Sequence, residues 1–194
     1  MADPASKLRA APQGKPSGLR RAGLTSLCVI MGWLATSAQV LLIREFLVVF
    51  YGNELCLGVI FASWLLGIAV GAWTCSRLLR GSAEPVALLF VLQILMVLCL
   101  PAQVTLIRLV RLLVDVQPGG YAPLTTILWF PLVSILPFGV LVGFLFPVVC
   151  RVFARSGQWA AQDIGWVYIL ESLGSMAGGL VLTFFLIARY QPYT

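Results

Sequence analysis

The sequence predicts an all-α integral membrane protein, a polytopic bundle of about five transmembrane helices. Three observations predict it. Hydrophobic residues make up 60% of the 194 residues and charged ones 10%, against roughly 45–50% and about 25% in soluble domains. The apolar residues gather in five runs, each long enough for a hydrocarbon core that takes roughly 20 residues to cross. The polar segments between the runs are short, so no soluble domain of ordinary size fits beside the spans.

Residues 1–23 carry Pro4, Pro12, Pro16 and five basic residues, Lys7, Arg9, Lys15, Arg20 and Arg21. Such a segment buries too little apolar surface to fold alone and reads as a disordered basic tail. The first span covers about 24–50. Its start resembles a cleavable secretory signal, with Ala35-Thr36-Ser37 as cleavage site and Arg20-Arg21 as a twin-arginine pattern. The apolar run continues through Val40 to Ile43, however, so an uncleaved span is expected. Gly52-Asn53 signals a turn. The second span, about 55–79, ends beside Arg77 and Arg80.

The third span covers about 86–113. Pro101 is expected to kink it, because proline removes a helix hydrogen bond, and Arg108 and Arg111 bring its end into the interface. Gln117-Pro118-Gly119-Gly120 is the clearest loop. The fourth span, about 124–149, holds Pro131, Pro137 and Pro147 and is expected to be bent or broken. Arg151, Arg155 and Asp163 mark the next loop. The fifth span, about 164–188, contains Glu171. The spans form one transmembrane domain, 24–188, and residues 189–194 read as an interrupted end.

Charge placement orients the chain. With the N-terminus inside, nine basic residues of the tail and short loops fall on the cytoplasmic side: the five of the tail, Arg77, Arg80, Arg151 and Arg155. Three fall opposite: Arg108, Arg111 and Arg189. That bias places the N-terminus in the cytoplasm and the chain in a plasma or bacterial inner membrane. The net charge of +6 needs no nucleic acid as partner. Histidine is absent, which removes the commonest metal ligand and general base. The cysteines Cys28, Cys56, Cys75, Cys99 and Cys150 lie in or beside apolar runs without paired spacing and read as small buried hydrophobes. No metal, cofactor or catalytic residue is expected.

Small residues recur at four-residue spacing: Ser63, Gly67, Gly71 and Cys75 in the second span, Gly139 and Gly143 in the fourth, Gly174 and Gly178 in the fifth. Such stripes let helix backbones approach closely in lipid. A path for a solute is the other reading, and plain packing is favoured. Arg44, Glu45 and Glu171 are the ionisable residues inside spans, and such groups rarely face lipid. Trp33, Ser37, Val40 and Arg44 share one helical face, so an Arg44–Glu171 ion pair is expected, with Glu45 reaching the interface by itself. Glu171 beside Gln39 and Thr36 would otherwise suit a cation.

The run 37–44, Ser-Ala-Gln-Val-Leu-Leu-Ile-Arg, and the run 50–55, Phe-Tyr-Gly-Asn-Glu-Leu, resemble the first helix and turn of the membrane domain in bacterial spermidine synthase-like proteins. A second match is similar to that domain's G-x-x-F-P helix and the small-residue helix after it. It comprises Gly143-Phe144-Leu145-Phe146-Pro147 and Arg151, then Gly165, Tyr168 and the run 171–179. The resemblance covers about 24–186. Two departures stand out: many relatives have Glu where this chain has Gln39, and a neutral residue near Glu171. Nothing in the chain resembles the family's glycine- and acid-rich catalytic segment.

The resemblance implies a polyamine context and a transferase family, without placing a catalytic residue here. The expected partners are the lipid bilayer, a soluble synthase domain or subunit, and further copies of the chain. A small transporter or channel for a cationic solute, and a purely structural anchor or assembly subunit, are the alternatives.

Overall fold

The computed structural model describes residues 18–50, 52, 54–79, 85–113, 123–153 and 161–187. The tail before Gly18, the Gln117 to Gly120 loop, Arg155 and residues 189–194 lie outside them. Five helices follow in order: α1 (Gly18–Val49), α2 (Glu54–Leu78), α3 (Pro85–Leu113), α4 (Leu124–Phe153) and α5 (Ala161–Val181), the last running on as a π-helical segment, Leu182–Ile187. All five are long and apolar enough to cross a membrane. No strand occurs among the described residues. The chain is an all-α, multi-pass membrane protein.

The helix ends follow local chemistry. α1 begins at Gly18, six residues before the expected start, and so takes in Arg20 and Arg21 from the segment expected to be disordered. Once a helix is nucleated by the apolar run, adding a turn of Leu, Arg and Ala costs little. α1 stops at Val49, and the turn beyond it holds Gly52, whose φ of 76° is open to glycine. The Gly52 N–H donates to the Leu47 carbonyl at 2.9 Å, and the Phe50 N–H to that of Phe46 at 2.9 Å. Asp163 lies in the first turn of α5, where a negative charge favours the helix dipole. α3 stays continuous through Pro101, and α4 through all three of its prolines. The fourth span is therefore unbroken.

Cross-helix contacts fix the directions. Gly32 of α1 meets Glu171 and Ser175 of α5, Trp33 meets Gly178, and Thr36 meets Gly179, so these helices run parallel. Gly67 of α2 meets Gly139 of α4 and Ile68 meets Gly143, giving a second parallel pair. On α3, Gln93 bonds Leu27 and Arg108 bonds Glu45, which aligns α3 with α1. Phe130 of α4 packs edge-on to Phe46 at 5.5 Å between ring centroids, and that pairing reverses α4 against α1. The odd helices thus point one way and the even ones the other.

In space the helices follow the order α5, α1, α3, α4, α2. α4 and α2 share the most extensive interface, then α1 and α5, while α1 and α2, though consecutive, hardly touch. The core stripe of α1 runs through Cys28, Met31, Ala35, Ala38, Leu42, Phe46 and Val49, all buried. This is the i+3, i+4 pattern of one helix face. It lies away from the face of Trp33, Ser37, Val40 and Arg44. Among the described residues the three most exposed tryptophans sit toward the helix ends, Trp73 and Trp166 at one end of the bundle and Trp129 at the other, as aromatic belts do at a bilayer boundary. The guanidinium of Arg77 lies 4.7 Å from the Trp73 ring centroid, a cation–π contact at that level.

Candidate functional site

The glycine stripes become two crossings of the same design. In one, Gly71 of α2 faces the Val140 carbonyl of α4, and Gly143 of α4 faces the Ile68 carbonyl of α2. In the other, Gly32 of α1 faces the Glu171 carbonyl of α5, and Gly174 of α5 faces the Val29 carbonyl of α1. Each crossing is reciprocal, with glycine Cα against the partner's backbone. Such approach allows Cα–H···O contacts and dense packing where burial from water supplies no drive. Gly67, Gly139 and Gly178 leave slightly more room, since a Cβ there would lie 2.9, 3.0 and 3.0 Å from its nearest neighbour. Ser63 is buried, and its hydroxyl donates to the Val59 carbonyl at 2.6 Å. Gly32 is not marked by a glycine stripe in the sequence, since the residues four positions either side of it are Cys28 and Thr36.

Arg44 and Glu171 do not come together. Glu171 is level with Gly32, and Arg44 lies twelve residues further along α1. At about 1.5 Å per residue that is about 18 Å of axial rise, more than the two side chains together can bridge. The expected Arg44–Glu171 pair is therefore corrected. Thr36 lies level with Gly179, two turns beyond Glu171, and Gln39 is further still. The grouping of Glu171 with Thr36 and Gln39 is not formed either.

Glu45 does not stand by itself. Its carboxylate accepts two hydrogen bonds from Arg108 of α3, from Nε at 3.0 Å and from an Nη at 2.6 Å. The Arg108 side chain is 64% exposed and that of Glu45 17%. Both sit near the ends of their spans, so the pair belongs to the membrane boundary. Exposed ion pairs contribute about 0.2–1 kcal/mol. A double-mutant cycle on unfolding in detergent, with Glu45→Gln and Arg108→Gln, is expected to return a coupling in that range. A coupling near the ~3–5 kcal/mol of a buried pair would contradict this placement.

Other polar side chains stitch α3 into the bundle. The Gln93 amide donates to the Leu27 carbonyl at 2.8 Å and the Gln103 amide to the Ser134 carbonyl at 2.6 Å. Gln93, Met96, Gln103 and Ile107 are all buried, and their spacing puts the glutamines on the same face as the apolar residues. That spacing was the signal in the sequence, hidden because glutamine reads as a surface residue. Arg151 donates to the Leu79 carbonyl, so the last turn of α4 caps the end of α2. The five cysteines are free thiols, four of them buried. Among the described residues no group of His, Cys, Asp or Glu could hold a metal ion.

No family model, curated protein or solved structure matches the chain.

Proposed function

We propose that the chain is a membrane-embedded module of a spermidine synthase-like protein, not catalytic by itself, with its N-terminus on the cytoplasmic side of a bacterial inner membrane. The observation that carries this reading is where the motif residues fall. Gly143 and Arg151 of the G-x-x-F-P helix, and Gly174 and Gly178 of the helix after it, all make backbone contact with another helix. The motifs behind the resemblance thus serve bundle assembly. The separation of Arg44 and Glu45 from Glu171 weighs against a continuous charged path and in favour of a scaffold that holds a synthase domain or subunit at the membrane.

The test has three arms. The purified chain, given putrescine and the decarboxylated sulfonium donor, is expected to show no aminopropyl transfer; turnover above a no-protein control overturns the reading. A soluble synthase domain is expected to co-purify with it, and no retention counts against the module. Putrescine flux into liposomes carrying the chain would favour a transporter instead. Reporter fusions after Gly81 and Gly157 are expected to read as cytoplasmic and those after Gly120 as external, and the opposite pattern reverses the orientation.

A further inference from the structure

A groove of about 370 Å³ opens between the starts of α1 and α3, lined by Gly23, Leu24, Ser26, Leu27, Val86 and Phe90. The candidate spans of these two helices begin at Ala22 and Val86, so the groove lies at one membrane boundary. Its lining is apolar except for the Ser26 hydroxyl, which donates to the Ala22 carbonyl at 3.0 Å. A Cβ built at Gly23 would meet nothing within 4 Å. Below the groove the Gln93 amide ties α3 to the Leu27 carbonyl and closes the gap between the helices. The apolar surface continues past that tie, through exposed Ile30 on α1 and exposed Ile94 and Val97 on α3. Gly23, Leu27 and Ile30, like Phe90, Ile94 and Val97, follow the spacing of one helix face.

The charge around the groove has one sign. Residues 1–21 hold Lys7, Arg9, Lys15, Arg20 and Arg21 against Asp3 alone. α1 starts at Gly18, so its backbone carries Arg20 and Arg21 within about one turn of Leu24. The segment between α2 and α3 adds Arg80 and Glu84, which offset each other. α1 and α3 run parallel, so both turn the positive end of the helix dipole to this boundary, and neither has an acidic residue in its first turn. Clusters of about four to eight basic residues next to a membrane span attract anionic lipid headgroups.

We propose that the α1–α3 groove holds one acyl chain of an anionic phospholipid, whose phosphate headgroup is met by the basic start of α1. The chain suits a narrow apolar groove that runs on into exposed apolar surface, and the headgroup suits the charge above it. Residues 1–17, with three prolines and three basic residues, do not suit an apolar lining. The short stretch of two helices that lines the groove falls far below the ~1,000 Å² of a stable protein interface, so a second copy is not the occupant. This goes beyond the scaffolding role and does not rest on it.

The test uses the full chain in phosphatidylcholine liposomes doped with phosphatidylglycerol that carries a photoreactive diazirine on its acyl chain. The same probe with a phosphocholine headgroup is the comparison, and cross-linked peptides are mapped by mass spectrometry. Label is expected on the peptides holding Leu24 and Leu27 and those holding Val86 and Phe90, several-fold more from phosphatidylglycerol. Equal labelling by the two probes shows ordinary surrounding lipid and overturns the proposal. Arg20→Gln combined with Arg21→Gln is expected to bring the phosphatidylglycerol label down to the phosphatidylcholine level, and an unchanged preference overturns it. Gly23→Trp fills the open space and is expected to lose most of the label at Val86 and Phe90 while keeping the wild-type melting temperature. Label that persists there in the folded variant overturns the groove as the site. The arginine variant still decides the headgroup contact where Gly23→Trp does not fold. Cross-links from these peptides to another copy of the chain, in place of lipid, overturn the proposal as well.

Discussion

Alanine at Gly71 or Gly143 is expected to lower the melting temperature of the purified protein by about 5–10 °C. In an exposed helix the same change stabilises, because glycine is roughly 0.5–1 kcal/mol worse than alanine there. Here the new methyl would enter the Val140 or Ile68 backbone, and backbone in a packed helix cannot turn aside as a flexible side chain can. Overpacking costs about 1–3 kcal/mol and occasionally more. For a chain of this size each kcal/mol is worth about 2–4 °C. The α2–α4 interface is the most extensive in the bundle, so separating these helices exposes the most packed surface. Thermal unfolding followed by tryptophan fluorescence in detergent measures the loss. Gly58 and Gly165, which have open space where a Cβ would go, are the controls, and alanine there is expected to be neutral or mildly stabilising. Equal behaviour at all four positions would remove the steric account.

At the other crossing, Gly32→Ala and Gly174→Ala are expected to loosen α5 while leaving the rest of the bundle assembled. α5 leans chiefly on α1 and touches α4 only lightly, so a methyl against Glu171 or Val29 has no second interface to resist it. Cys28 is fully buried beneath this contact. Alkylation of Cys28 by N-ethylmaleimide, quantified at peptide level, is expected to rise several-fold in either variant. Gly178→Ala, whose Cβ would sit 3.0 Å from the Trp33 carbonyl, is expected to give a smaller rise, because the neighbour has to yield only a few tenths of an ångström. Unchanged alkylation in Gly32→Ala and Gly174→Ala would mean that α5 is held by something other than the glycine contacts.

Much of the fold could be read from the chain because hydrocarbon imposes few solutions. Backbone polar groups have no water to turn to, so long apolar runs become helices, and Gly52 and the loop prolines mark their limits. The close approach at Gly67, Gly71, Gly139, Gly143, Gly174 and Gly178 was likewise expected, since a stripe of glycines has few other uses in lipid. The pairings were not legible in the same way. Arg44 and Glu171 carry opposite charge on suitable faces, yet helical phase says nothing of axial height, and a register set by Gly32 and Gly174 keeps them apart. Glu45 found Arg108 because α3 lies parallel to α1, a fact of three-dimensional order that no single helix encodes. The role of Gln103 is not legible in the sequence because its partner is the Ser134 carbonyl of another helix. The helix start at Gly18 is not legible from local polarity, because extending a helix already formed costs little.

The spatial order of the helices has a consequence for how the protein is made. When α1 and α2 leave the translocon they are neighbours with little to say to each other, and each keeps its glycine face turned to lipid. α2 waits for α4, and α1 waits for α5, the last of these five helices to be synthesised. Each of these pairings therefore closes only after at least one intervening helix has been made. Until then the nascent bundle exposes adhesive backbone grooves to whatever else shares the bilayer, including other copies of itself at the same stage. A chain halted before α5 would be left with the Val29 and Gly32 groove of α1 permanently open, a surface that could seize another small-residue helix in place of its own.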